Sequence, residues 1–124
     1  MEKELVEGRL DAKGKAHEKV YDVAWSGNRK PNKKGKLPAV GNTVDVKNAN
    51  WTNTIGAAEL GIAWKDPDFD PNQRAFYYAR VLEIPTPPWY VYDAFRYGVE
   101  IPKDAPTSHQ ERAYTTPIWY TPKG

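Results

Sequence analysis

Cysteine is missing altogether. That excludes a disulfide framework, thiolate zinc sites and thiol catalysis, and leaves packing and hydrogen bonds to hold the fold. Long apolar runs are missing too, since nowhere do the ~18 consecutive apolar residues of a membrane helix occur. The opening Met1-Glu2-Lys3-Glu4 is charged and no apolar stretch follows, unlike a signal peptide. The expectation is therefore a cytoplasmic product as written, or a periplasmic piece of a larger exported protein, with no membrane partner. A net charge of +2 is too small to indicate a nucleic-acid partner. Helical periodicity is scarce, and there is neither an internal repeat nor a heptad.

What the sequence does have is aromatic weight. Only 40% of residues are hydrophobic but 13% are aromatic, so Trp and Tyr have to supply much of the core. Its 124 residues give room for one domain. Proline and glycine punctuate β-branched and aromatic runs, a rhythm of strands and turns. Residues 7–10 and 17–25 read as strands joined by a turn at Asp11-Ala12-Lys13-Gly14, with Tyr21, Val23 and Trp25 on the core side. Residues 40–47 and 59–64 alternate as further strands. Residues 75–84 form the strongest strand, apolar enough to be central and covered on both faces. Residues 113–121 close the chain, and Pro117 demands an edge or a bulge there. Pro88 at the first helical position and Gly98 as C-cap bracket one short helix, one side of which would lie on the sheet. The expected fold is mainly all-β: a single-domain β-sandwich of six or seven strands over residues 1–124, with one short helix.

Four features bear on function. Arg29, Lys30, Lys33, Lys34 and Lys36 lie in a stretch without acidic residues. The stretch 28–38 reads as a mobile, solvating basic loop in preference to a phosphate-binding strip, because no aromatics interleave the charges. Asp66, Asp68 and Asp70 alternate as calcium ligands do, but Pro71 occupies the place of the turn glycine and Tyr77 that of the bidentate Glu. A structural turn is the favoured reading of this cluster; an irregular calcium contact and catalytic carboxylates are the alternatives. His17 and His109 have no ligand partners at metal spacing, so no metal or other cofactor is implied. Ser108, His109 and Glu111, as sequence neighbours, cannot present a nucleophile–base–orienter geometry. Trp25, Trp51, Trp64, Trp89 and Trp119 serve core packing before stacking on ligands. The exception is the surface around Trp89, Tyr90 and Tyr92, beside Pro85-Thr86-Pro87-Pro88, which is the candidate binding surface.

Three stretches also carry a resemblance. They are Leu10-Asp11-Ala12-Lys13-Gly14-Lys15 with His17-Glu18-Lys19-Val20-Tyr21-Asp22-Val23-Ala24; Asp66-Pro67-Asp68-Phe69-Asp70-Pro71 with Ala75-Phe76-Tyr77-Tyr78-Ala79-Arg80-Val81-Leu82-Glu83; and Gln110-Glu111-Arg112-Ala113-Tyr114-Thr115-Thr116-Pro117-Ile118-Trp119-Tyr120-Thr121-Pro122. Together they resemble the C-terminal part of the domain of unknown function 3604 family. The chain departs from that pattern at Arg9, where a Trp is common. The resemblance implies a larger upstream part similar to the polymerase-and-histidinol-phosphatase metallohydrolases, which would hold the metal ligands, so no ligand transfers to these residues. It implies a non-catalytic accessory or interaction domain, whose partner is a hydrolase domain or a second copy in a homo-oligomer. The alternative is a small hydrolase using Asp66, Asp68 and Asp70.

Overall fold

Asp11 starts the fold. In the computed structural model, which describes residues 1–123, its carboxylate accepts the backbone N–H groups of Lys13 and Lys15 at 2.9 and 3.0 Å. Gly14 supplies the positive φ of +75° that the turn requires. The turn joins β1 (Glu2–Leu10) to β2 (Ala16–Trp25). β3 (Ala75–Leu82) then adds antiparallel to the other edge of β1. Two short strands, β4 (Arg112–Tyr114) and β5 (Ile118–Tyr120), share the far edge of β3. The result is one open, five-stranded antiparallel sheet in the order β2-β1-β3-β4, with β5 beside β4 on β3.

β3 is central, as its apolar run predicts, with both edges hydrogen-bonded. β1 is the other interior strand and is longer than the alternation of residues 7–10 predicts. Its charged start is tolerated because each charge meets a distant partner. Glu2 pairs with Arg29, Glu4 pairs with Arg80, and Lys3 donates to the carbonyl of Leu60. The closing strand is split in two by Thr116 and Pro117. There Thr115 bridges the break, its N–H donating to the Ala79 carbonyl at 3.0 Å and its Oγ1 accepting the Ala79 N–H at 2.9 Å.

The six- or seven-stranded sandwich does not form, because residues 40–47 and 59–64 join no ladder. Side chains capture the first of these segments. Asn42 Oδ1 accepts the Val44 N–H at 2.9 Å, and Asp45 holds both the N–H and the side-chain amide of Asn48, closing a turn in place of a strand. The second segment is extended, but it lies across the sheet as a covering strap rather than beside it: Trp64 packs on Tyr21 with ring centroids 5.0 Å apart.

Because opposed residues share a face, the register separates two sides of the sheet. Leu5, Glu7, Lys19, Tyr21, Tyr77 and Ile118 face the 59–74 strap. Val6, Gly8, Val20, Phe76, Tyr78 and Trp119 face the other way. Phe76 leans across β1 so closely that a Cβ on Gly8 would meet its ring at 2.3 Å, so glycine is required there. On this second side Leu10, Val20, Tyr114 and Trp119 are exposed. β3 is therefore not covered equally on both faces.

The helix α1 (Trp89–Tyr97) begins after Pro88, which is the N-cap rather than the first helical residue. It ends where Gly98 adopts the left-handed conformation and donates to the Ala94 carbonyl at 2.9 Å. Its spacing predicts one side lying on the sheet, but it stands off it: no Cα of α1 comes within 8 Å of a strand residue. Val91 is its one buried residue.

The basic stretch is tied at both ends. Arg29 pairs with Glu2, their side chains 13% and 14% exposed. It also donates to the Ser26 carbonyl at 3.0 Å and the Pro38 carbonyl at 2.9 Å, while its own carbonyl accepts the Trp25 indole N–H at 2.8 Å. Leu37 is buried, and Lys30, Lys33, Lys34 and Lys36 between them are exposed. Replacing residues 30–36 by Gly/Ser is expected to change stability by less than about 0.5 kcal/mol, as loop closure depends weakly on length. Arg29→Ala, which strands Glu2, is expected to cost about 1–3 kcal/mol, below the cost for a fully buried pair. Leu82→Ala is expected to cost about 2–4 kcal/mol. Urea midpoints at constant slope measure all three.

Candidate functional site

The acidic turn lies over the strap side of the sheet, and the strands below meet it with phenols. Tyr21 and Lys19 are two apart on β2 and so point the same way, as does Tyr77 on β3. Tyr77 donates to Asp66 Oδ2 at 2.7 Å, and the other Asp66 oxygen accepts the Asp68 N–H at 2.8 Å. Tyr21 reaches Asp68 Oδ2 at 2.8 Å, with Asp66 Oδ1 and Glu7 Oε2 each 3.2 Å away. Lys19 pairs with the same Asp68 oxygen. Arg9 donates to the Asp68 carbonyl at 3.2 Å and stands 3.9 Å from Glu7. Glu7, in the floor between them, is only 2% exposed.

Three carboxylates thus converge on one hydroxyl that has a single proton to give. The nearest acceptor is Asp68. Its pKa is lowered, first by the Lys19 hydrogen bond and then by that of Tyr21. The Tyr21 phenol is pushed far above its ordinary value, chiefly by burial, then by the bond to Asp68 and the charges of Glu7 and Asp66. Tyr77 is raised in the same way, by burial and by Asp66. Both phenols stay protonated and act as donors. Asp66 and Asp68 are consequently bridged by Tyr21, not held apart by water as the flanking prolines predict. Asp70 stands outside: its Oδ1 caps the Asn72 N–H at 2.9 Å. Among the described residues no group of three or more His, Cys, Asp or Glu is arranged to hold a metal ion.

The remaining candidates are dispersed. His17 is bound to Asp11 at 2.9 Å and His109 to Glu111 at 2.6 Å. Ser108 accepts from Asn42 at 3.0 Å instead of meeting His109. Trp89 is 72% exposed and packs edge-on against Tyr90, their centroids 5.4 Å apart. Tyr90 turns its hydroxyl to the Pro106 carbonyl, and Tyr92 is half-buried, so the three do not form one flat platform. Sequence reasoning missed Glu7, Tyr21 and Tyr77 as partners of the aspartates. The available signal was that Lys19 and Tyr21 share a strand face.

The profile of the family described as protein of unknown function (DUF3604) matches residues 3–122. The chain belongs to this family. No curated protein and no solved structure matches it. The three stretches that resemble DUF3604 build this region together: the β1–β2 hairpin, the acidic turn with β3, and the split closing strand.

Tyr77→Phe is expected to cost about 1.5–3 kcal/mol, the usual range for a hydrogen bond to a charged group. The cluster also sets a pH window. The lowered Asp68 pKa contributes stability that is present above the unfolded value of about 3.9 and lost as pH falls through the folded value. The raised phenol pKa values contribute stability present below about pH 10 and lost as pH rises beyond it. Tryptic cleavage at Lys65 and Arg74 after pH jumps, compared with Tyr21→Phe, measures release of the strap. Release is expected at both extremes, and in the variant already at neutral pH.

Proposed function

We propose that this chain is a non-catalytic accessory or interaction domain, in origin the C-terminal module of a larger DUF3604 protein related to metal-dependent hydrolases of the polymerase-and-histidinol-phosphatase type. The observation that carries this reading is the state of its carboxylates. Asp66 and Asp68, the groups best suited to acid–base or metal chemistry, are already engaged by phenolic and ammonium donors of the same chain. A general base needs a free lone pair directed at substrate, and these oxygens are directed at strands β2 and β3. Asp70, the third carboxylate of the alternative hydrolytic reading, is spent on a turn. Trp89 and Trp119, in contrast, are each 72% exposed.

Turnover assays test the proposal. With generic phosphate mono- and diesters and carboxyl esters, in the presence of Mn²⁺, Zn²⁺ or Ca²⁺, the purified chain is expected to match buffer. Asp66→Asn and Asp68→Asn are expected to alter the urea midpoint but no rate. Reproducible turnover that a folded Asp68→Asn variant loses would sink the reading.

A further inference from the structure

A folded monomer of 14.1 kDa is expected to expose about 6,700 Å². This chain exposes 9204 Å², roughly 2,500 Å² more. A standard interface removes about 800 Å² from each partner, so the excess is larger than one such footprint. Part of the exposed apolar surface lies on the side of the sheet away from the strap. Trp119 is 72% exposed, and Leu10, Val20 and Tyr114 are exposed beside it.

The relief and charge of this side are unevenly distributed. Over β3, β4 and β5 it rises in an aromatic ridge of Phe76, Tyr78, Tyr114 and Trp119, in contact as Phe76–Trp119 at 5.2 Å and Tyr78–Tyr114 at 6.3 Å between centroids. Over β1 it is closed, with the Phe76 ring lying on Gly8 and Val6 buried, while Val20 on β2 is exposed. At the Leu10 end of β1 this side opens into an apolar cavity of about 500 Å³, which Gly8, Leu10, Glu18, Phe76 and Trp119 help to line. Of the charges on this side, Glu2 and Glu4 on β1 are paired with Arg29 and Arg80, Glu18 and Asp22 belong to β2 at one margin, and Arg112 belongs to β4 at the other.

We propose that this sheet face docks a second copy of the chain about a two-fold axis parallel to the strands. The inference rests on the reading of the chain as a binding module. Such an axis places β2 of one copy over β4 and β5 of its partner. Trp119 of each, level with Glu18 through Phe76 and Gly8, then meets the cavity of the other, and the acidic margin faces the basic one. Isologous interfaces require this kind of self-complementarity, and face-to-face sheets at ~10 Å close over interdigitated side chains. Two open sheets would thereby complete between copies the sandwich that one chain does not build.

Sedimentation equilibrium from about 1 to 200 µM tests it, with a mass of twice 14.1 kDa expected. Trp119→Glu on β5 and Val20→Glu on β2 are each expected to weaken association at least tenfold with an unchanged circular dichroism spectrum. Trp89→Glu, on α1, is expected to leave it intact. Because the chain lacks cysteine, a short bis-maleimide gives a second measurement that needs no disruptive variant. A mixture of Val20→Cys and Tyr114→Cys proteins is expected to cross-link, and Val20→Cys protein alone is not. A monomer at 200 µM, or a dimer broken by Trp89→Glu and not by Trp119→Glu, overturns the second copy. Either result leaves the non-catalytic reading standing, which fails only on turnover that Asp68→Asn abolishes.

Discussion

The packing of this chain depends on the hydroxyl of Tyr21. A single sheet has two faces and must cover at least one, and here the cover is a strap with no ladder of its own. A backbone bond ties its end, where the Leu10 N–H donates to the Arg74 carbonyl at 3.1 Å. Tyr21 and Tyr77 hold its acidic turn, donating upward from β2 and β3 into Asp66 and Asp68, with Lys19 adding charge. Once the turn is fixed, Trp64 settles on Tyr21 and Phe69 meets Tyr120 edge-on with centroids 4.9 Å apart. Leu5, Trp64, Phe69, Tyr77 and Ile118 still leave a cavity of about 400 Å³ beneath the strap.

Much of the sheet was legible in the residues. The Asp11–Gly14 turn, the alternation of β2, the apolar run of β3 and the bracket from Pro88 to Gly98 are all local signals, and local signals give local structure. Two kinds of error share one cause. Residues 40–47 alternate like a strand, yet strand alternation says nothing about whether a partner edge exists, and Asn42 and Asp45 took the backbone donors first. Glu2, Lys3 and Glu4 look unlike the start of a buried strand, yet Arg29, Arg80 and the Leu60 carbonyl satisfy them from afar. The candidate site followed the same rule. The acidic triplet was visible, but its donors come from two other strands, so its character as a clasp was not. The aromatic surplus was visible as well. Its location was not, because Trp119 and Trp89 are equivalent in composition and differ only in what lies beside them.

Membership of the DUF3604 family fits this division of labour. The stretches that resemble the family are those that fold the sheet and fasten its cover. The aromatic ridge lies on the opposite side, built by the alternate residues of the same strands. One strand, β3, thus serves two surfaces: Tyr77 binds the strap, while Phe76 and Tyr78 face away from it. Any substitution that shifts the register of β3 by one residue would exchange the two roles.

The seating of β1 between β2 and β3 also bears on the order of assembly. Its pairing with β2 spans only the Asp11 turn, whereas its pairing with β3 brings Glu2 to Leu82 and Glu4 to Arg80. Contacts across so long an intervening chain form slowly, since closure entropy precedes any gain. During synthesis the first hairpin is complete while β3 is still unmade. For that interval β1 is an open edge, and Glu4, whose partner Arg80 lies on β3, stands uncompensated on it. An unpaired, charged edge resists stacking on other nascent chains. The carboxylate that later locks β1 to β3 through Arg80 thus protects the edge while it waits.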